Sequence, residues 1–502
     1  MSDPVSTPVN APDSPGESWA SKVRSAVIWR SGTQIAGQIV TWAATFAVIR
    51  ILDPADYGLV AMTSVVMLFL SLVNGYGFAN AVIQRAEVER ADYQRLFGIL
   101  IAFNALLAIL QVALAPLAAA YYREPMVADL LRVQALLYPT TPLIVLGYAI
   151  LCREMDFRRQ AKVNLVSAVL VAVSSLAGAL SGLGVWTLII APLVSAWARA
   201  IGMVFAARAW MWPRFDLRNA RWIFNYGGFV LIGQLFWFVQ SQADIFIVGR
   251  YYDAAELGIY STALFLTQLF VTKVVPPLNE VAFSAYSRIA YTKRGVGPAF
   301  LRSLQMIMLV GLPVFAGFAV TARPLVLSVL GEKWAGTIPF VILLAVAMPL
   351  KTVLTLFGPA ANAIDRPDIP TRNSIAGAII LPAAFLFSLQ WGLIGIAWAW
   401  IAGYALLVVL AAYWTLPVLR VRAREAMAML APALLGTLAM AAVVIVVDAV
   451  LPPLPPFAEL LILSAIGAGV YAGWLLVFAR AQMREVIALI RGREAAAAPA
   501  AA

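Results

Sequence analysis

The chain has 502 residues, of which 62% are hydrophobic and only 12% charged, and its mean hydropathy is +0.87. A soluble protein of this length needs far more polar surface around its core, so the composition excludes one. The absence of histidine and the single cysteine, Cys152, exclude histidine-ligated metals, histidine-based triads and an intrachain disulfide.

Residues 1–24 are rich in Pro, Ser and Asp and lack a basic stretch followed by an apolar core. They are expected to form a disordered cytoplasmic tail rather than a cleaved signal peptide. Apolar segments long enough to span a bilayer then fill the chain. They lie near 25–48, 58–81, 96–120, 131–152, 162–181, 184–207, 223–249, 257–281, 299–321, 337–360, 373–391, 392–416, 428–450 and 458–479. With both termini inside, about 26 of the 36 Lys and Arg fall in cytoplasmic segments, so the net charge of +11 reflects the positive-inside rule and not nucleic acid.

In the first span Arg30, Gln34, Gln38, Thr41 and Thr45 recur every three or four residues and form one polar stripe. Such a stripe lines an aqueous cleft; the alternative is interhelical hydrogen bonding within a packed bundle. The stripe runs into F-A-V-I-R-I-L-D-P-A-D-Y-G, residues 46–58. About 200 residues later, at 246–258, the chain reads F-I-V-G-R-Y-Y-D-A-A-E-L-G. Phe46, Val48, Arg50, Asp53, Ala55 and Gly58 are matched by Phe246, Val248, Arg250, Asp253, Ala255 and Gly258. Upstream, Gly32, Gly37 and Gln38 reappear at the same spacing as Gly228, Gly233 and Gln234. Duplication in an apolar chain predicts a transporter of two pseudo-symmetric halves with the substrate path between them.

The predicted organisation is an all-α polytopic membrane protein of about fourteen transmembrane helices. Its first lobe (25–208, helices one to six) is joined by a basic cytoplasmic linker (209–221) to a second lobe (222–416, helices seven to twelve). An even number of spans per lobe orients both the same way, about an axis along the membrane normal. Two further helices (417–480) and a low-complexity tail (481–502) follow. No extramembrane loop exceeds roughly 20 residues, which leaves no room for a periplasmic catalytic domain.

The second lobe carries its own polar positions. Helix seven holds Gln234, Trp237, Ser241 and Asp244 along one face, and helix eight holds Gln268, Thr272, Lys273, Asn279 and Glu280 around Pro276 and Pro277. The paired prolines predict a break or kink, either a gating point or a static bend. Asp244 and Glu280 are candidates for ion coupling or gating: a buried carboxylate pairs with a cation or carries a proton. Coupling to H+ or Na+ is therefore an open expectation, alongside a structural hydrogen bond for Asp244. Arg30, Arg199, Lys273 and Lys351 are the intramembrane cations. Arg30, Lys273 and Lys351 are candidate ligands of a phosphate-bearing headgroup; Arg199 is assigned to snorkelling. Gln34, Gln38, Thr41, Trp42, Gln234, Trp237 and Gln268 are the candidate glycan or cleft residues.

The run G-Q-I-V-T-W-A-A-T-F-A-V-I-R-I-L-D-P-A-D-Y-G-L-V-A-M, together with A-D-I-F-I-V-G-R-Y-Y-D-A-A-E-L-G-I-Y-S from Ala243, V-A-F-S-A-Y-S-R-I from Val281, L-G-E-K-W from Leu330 and A-I-D-R-P-D-I-P from Ala363, resembles bacterial polysaccharide flippases. More narrowly it resembles exopolysaccharide and lipopolysaccharide exporters related to the colanic-acid flippase, in the multidrug/oligosaccharidyl-lipid/polysaccharide exporter superfamily. The similarity is spread over residues 25–415. A proline usual near Phe283 is missing, while Pro276 and Pro277 stand earlier. The resemblance implies a V-shaped bundle that flips undecaprenyl-diphosphate-linked oligosaccharide units by alternating access in the inner membrane, with Arg30 the position for diphosphate contact. It implies no catalytic residue, no metal and no cofactor, and polysaccharide polymerase and co-polymerase proteins as partners. The rival readings are a multidrug or small-cation exporter of the same superfamily and, from another class, a polysaccharide polymerase or ligase.

Overall fold

The structure, a computed structural model, describes residues 37–72, 88–215, 228–291 and 295–478, and of 228–232 the backbone alone. The described residues form helices joined by short turns, as apolar spans must, because every backbone N–H and C=O has to be satisfied within the segment. Among them eleven stretches are long and apolar enough to cross a membrane. One of these, running from Asp368 to Thr415, is two helices divided at Gly392, whose φ is +71°.

The first lobe contains α1 (Gly37–Ile51), α2 (Pro54–Ser71), α3 (Arg90–Tyr122), α4 (Met126–Gln134), α5 (Thr140–Arg153), α6 (Phe157–Leu180) and α7 (Val185–Ala206). The second contains α8 (Gly228–Tyr251), α9 (Ala254–Lys273), α10 (Val275–Ile289), α11 (Gly297–Val320), α12 (Ala322–Val329), α13 (Ile338–Ala363), α14 (Asp368–Ser388) and α15 (Gly392–Thr415). Helices α16 (Ala423–Val450) and α17 (Pro456–Phe478) follow and pack on α11 and α12. Two spans are less regular than their hydropathy predicts, and one short helix is added between spans. The span expected at 131–152 is divided into α4, a 3-10 turn at Ala135–Leu137 and α5, which begins just after Pro139. A short helix, α12, stands between the ninth and tenth spans. The eighth span breaks at Val274, because Pro276 and Pro277 offer no N–H to the carbonyls of Thr272 and Lys273.

The duplicated segments build matching corners. In each, an aspartate stands at the helix N-cap and an acidic side chain three residues later bonds back to it. The Asp53 N–H donates to Asp56 Oδ2 at 3.1 Å. In the second copy the Asp253 N–H donates to Glu256 Oε2 at 3.3 Å, and the Glu256 N–H donates to Asp253 Oδ1 at 2.8 Å. One turn further on, α2 and α9 cross with their glycines face to face. A Cβ on Gly58 would stand 1.7 Å from Ala254 O, and one on Gly258 would stand 1.7 Å from Pro54 O. This reciprocity places the pseudo-two-fold axis between the two glycines. Two helix backbones approach this closely only where no side chain intervenes.

Candidate transport site

At the corner end the two lobes are clasped by reciprocal contacts. Arg50, at the end of α1, donates through Nη1 to the carbonyl of Ser328 at 3.0 Å. Its duplicate Arg250, at the end of α8, donates to the carbonyl of Tyr121. Both acceptors are the penultimate residue of a helix in the opposite lobe, where carbonyls lack intrahelical partners and the helix dipole favours a cation. The L-G-E-K-W turn adds a second latch. Gly331, at φ +99°, directs the chain past Arg50. Lys333 Nζ donates to Ile51 O at 2.6 Å and to Asp53 Oδ1 at 3.1 Å, and the fully buried Trp334 donates through Nε1 to Ile49 O at 2.8 Å. On the other side Tyr121 stacks on Phe246 with ring centroids 4.3 Å apart. Deeper in the bundle Phe69 and Phe238 meet at 5.5 Å. Arg50 and Arg250 were visible in the sequence as a matched pair; their acceptors were not, because a carbonyl carries no residue signature.

The first lobe holds a cavity of about 520 Å³ between α1, α5, α6 and α7. Gln38 and Thr41 of the helix-one stripe line it, beside Gln160, Asn164, Ser167, Ser195 and Arg199. Gly37 lets α1 approach α6, where an added Cβ would rest 3.4 Å from the Ala168 Cβ. The hydroxyls of Thr41, Ser167 and Ser195 donate to Gly37 O, Val163 O and Ser167 O at 2.8, 2.8 and 3.0 Å. Arg199 Nε and Asn164 Oδ1 are buried without a hydrogen-bond partner among the described residues. Arg30 and Gln34, the other candidates on the stripe, lie outside the described residues. Trp42 stands 36% exposed on the neighbouring face of α1.

The second lobe fills the corresponding space. Asp244, 1% exposed, accepts from the Tyr260 hydroxyl at 2.7 Å, and that oxygen accepts from Trp400 Nε1 at 2.8 Å. The Lys351 ammonium lies over the Trp400 ring, 4.9 Å from its centroid, near the Asp244 carboxylate but without an ion pair to it. The structure thus brings together Asp244 and Lys351, which the sequence assigned to separate roles. Tyr260 and Trp400 complete the cluster and were not anticipated, since aromatic residues in an apolar helix carry no mark of a polar partner.

The remaining candidates lie along α8 to α10. Gln234 and Trp237 are exposed and Gln268 is half-buried. Lys273 is the exposed last residue of α9, next to the break. Glu280 shares a groove on α10 with Ser284 and Arg288, while Asn279 Nδ2 donates to Thr355 O at 3.2 Å and ties α10 to α13. Between the second lobe and the two helices that follow it, α11, α16 and α17 enclose an apolar cavity of about 680 Å³, lined by Pro313, Phe318, Met440, Val444 and Tyr471 among others.

Residues 47–339, more than half of the chain, match the family described as polysaccharide biosynthesis protein. The chain is similar to the succinoglycan biosynthesis transport protein ExoT of Rhizobium meliloti (strain 1021), at 25% identity over 90% of this chain and 92% of that protein. It is similar also to the lipopolysaccharide biosynthesis protein WzxC of Escherichia coli (strain K12), at 22% identity over 69% and 71%. Among solved structures the fold is shared with the lipid II flippase MurJ in an inward closed conformation, with a TM-score of 0.73, 14% identity and coverage of 91% and 100%. A multidrug resistance MATE family transporter in its inward-facing conformation gives 0.57 at 17% identity, covering 79% of this chain and 98% of that one. The two-lobe bundle is the fold of these two solved proteins, and the chain belongs to the polysaccharide biosynthesis protein family, related to the flippases and exporters of the multidrug/oligosaccharidyl-lipid/polysaccharide exporter superfamily.

Proposed function

We propose that this protein flips polyprenyl-diphosphate-linked oligosaccharides from the cytoplasmic to the periplasmic leaflet of the inner membrane, by alternating access, for exopolysaccharide or lipopolysaccharide synthesis. The observation that carries the reading is the clasp at the duplicated corners. It closes one end of a two-lobed bundle with bonds that pair the lobes reciprocally, as a barrier must if the lobes rock about a shared axis. The charge count assigns that end to the periplasm and both termini to the cytoplasm, so the clasped state faces inward. The moving bodies are residues 25–208 and 222–416, joined by the linker 209–221.

A glycan is too polar to cross lipid, so it travels in the polar interior while its tail stays in hydrocarbon. Arg30 and Lys273 hold the diphosphate in this scheme, and the apolar cavity beside α16 and α17 suits the polyprenyl tail. Lys351 was a candidate for the same diphosphate role; its place over Trp400 and beside Asp244 suits ion coupling better. A proton taken up or released by either group would change the charge of the cluster, and with it the packing of α8 against α13 and α15. Polymerase and co-polymerase proteins, which consume flipped units, are the expected partners.

The test is the sidedness of lipid-linked oligosaccharide after depletion of the protein, read in spheroplasts with a membrane-impermeant glycosidase. Units that accumulate and stay protected place the block at flipping. Accessible units move the defect to polymerisation or ligation, and no accumulation points to export of small molecules.

A further inference from the structure

We infer that the end of the first lobe opposite the clasp carries a binding site for the headgroup of an anionic phospholipid, with its phosphate held by Arg90, Arg153 and Arg208 and its hydroxyls by Glu154. The inference goes beyond the transport reading and needs only the orientation of the bundle.

Three elements bring one guanidinium each to a pocket of about 510 Å³. Arg90 is the first residue of α3, Arg153 the last of α5, and Arg208 follows the end of α7 at φ +48°. The left-handed turn at Arg208 is closed by its N–H on Phe205 O at 3.3 Å and by the Ala209 N–H on Val204 O at 3.0 Å. The chain then runs as a strap over the start of α3. The Arg214 N–H donates to Gln94 O at 2.9 Å, Arg90 Nη2 donates to Trp210 O at 3.3 Å, and a Cβ on Gly98 would stand 2.2 Å from Arg214 O. Strap and helices thus fix the three cations in one wall, with Tyr93, Glu154 and Trp210 beside them. Because α3 has 33 residues and its far end reaches the clasp, this wall lies about 50 Å away, at the end that the charge count assigns to the cytoplasm.

The aromatic residues of the strap set its depth. Trp210 packs edge-on against Phe205 of α7 at 5.3 Å, and both are exposed, as are Phe215 and, at 86%, Trp212. Exposed aromatic rings at the end of apolar helices sit at the level of lipid headgroups. The basic pocket therefore opens where lipid phosphates lie. Guanidinium groups match phosphate oxygens in pairs, and three against the one carboxylate of Glu154 favour a ligand of net negative charge. Arg90 keeps donors for it, since a guanidinium has five N–H and one of them reaches Trp210 O. Glu154 calls for a donor in the same headgroup, which the hydroxyls of a glycerol headgroup supply. None of α1, α2, α8, α9 and α10, which hold the corners and the candidate cleft residues, lines this pocket. A lipid of the surrounding leaflet suits that place better than the transported carrier does.

The test uses the purified full-length protein in neutral detergent, titrated with dioctanoyl phosphatidylglycerol, dioctanoyl phosphatidylethanolamine, farnesyl diphosphate or inorganic phosphate. The rise in unfolding temperature reports binding. Phosphatidylglycerol should half-saturate at a concentration about tenfold or more below that of phosphatidylethanolamine. Arg208→Gln should raise the phosphatidylglycerol midpoint about tenfold, the loss expected of a charge-assisted hydrogen bond, and Arg208→Lys should keep part of the affinity. Arg153→Gln should act as Arg208→Gln does and covers the case in which that variant does not fold. Arg132→Gln, which removes a cation of α4 on the clasp side, should leave the lipid preference unchanged. Equal midpoints for the two phospholipids overturn the inference, and so does an undiminished preference in Arg208→Gln and Arg153→Gln proteins that fold. It is overturned as well if farnesyl diphosphate saturates the wild type below phosphatidylglycerol and loses that advantage in Arg208→Gln, which assigns the pocket to the carrier. Inorganic phosphate protecting as well as phosphatidylglycerol overturns it in favour of a free anion.

Discussion

The two ends of this molecule treat the duplication differently. At the corners, residues 46–58 and 246–258 keep the same capping aspartate, the same arginine reaching across and the same glycine at the crossing. Toward the lobe interiors the likeness fades. Gly37 packs α1 against α6, whereas a Cβ added at its counterpart Gly233 would meet nothing within 4 Å. The first lobe encloses a polar cavity around Arg199, and the second closes on the hydrogen-bonded cluster of Asp244, Tyr260 and Trp400 with Lys351. Symmetry persists where the halves touch, because each corner must fit its own copy. It is free to lapse where each lobe packs only on itself.

The largest test of that contrast is at the crossing. Gly58→Ala and Gly258→Ala each place a methyl group against a backbone carbonyl that no rotamer can move aside. Each should cost about 1–3 kcal/mol, the usual penalty of overpacking, and each should abolish transport in the sidedness assay. Unequal effects would show that the corners are less equivalent than their geometry. The interior of the second lobe gives the next effect. Asp244 is buried with Tyr260 as its hydrogen-bond donor and Lys351 is the nearby cation, so removing either unbalances the cluster, at a cost of about 1–3 kcal/mol. Asp244→Asn and Lys351→Met should therefore each lower the unfolding temperature in detergent, while the double variant should lose less than the sum. Additive losses would mean that the two groups do not act together.

A smaller effect is expected at the latch. Trp334→Phe keeps the aromatic volume and deletes the bond to Ile49 O, worth about 1 kcal/mol. That shifts the balance between inward and outward states several-fold, which spin-label distances across the periplasmic end would report. Gly233→Ala is the control. With no neighbour to meet and a helical backbone, it should be neutral or raise stability by about 0.5–1 kcal/mol. Strong loss of function there would extend the symmetric contact beyond the corners.

Much of the fold was legible in the chain because lipid leaves few choices. An apolar run of about 20 residues has to be a helix, and among the described residues the spanning helices lie close to where hydropathy puts them. Exceptions follow from backbone chemistry. Pro139 divides the fourth span, and the eighth stops at Val274 because two prolines withhold the next two donors. The site was legible only in part. The spacing of Gln38 and Thr41 marks one helix face, and both do line one cavity. Yet the same spacing gave no hint that Arg199, about 160 residues away, would face them.

Residue order therefore settled the membrane-spanning class, the pairing of the halves and the duplicated Asp, Arg and Gly positions, because each depends on periodicity or on a local backbone requirement. Which polar groups share a cavity, which carbonyl receives an arginine and which aspartate meets a lysine emerged only in three dimensions. A helical pattern records which side chains lie on one face; what that face meets is set by interhelical approach, through small residues such as Gly58 and Gly258 that are far apart in the chain and in contact in the bundle.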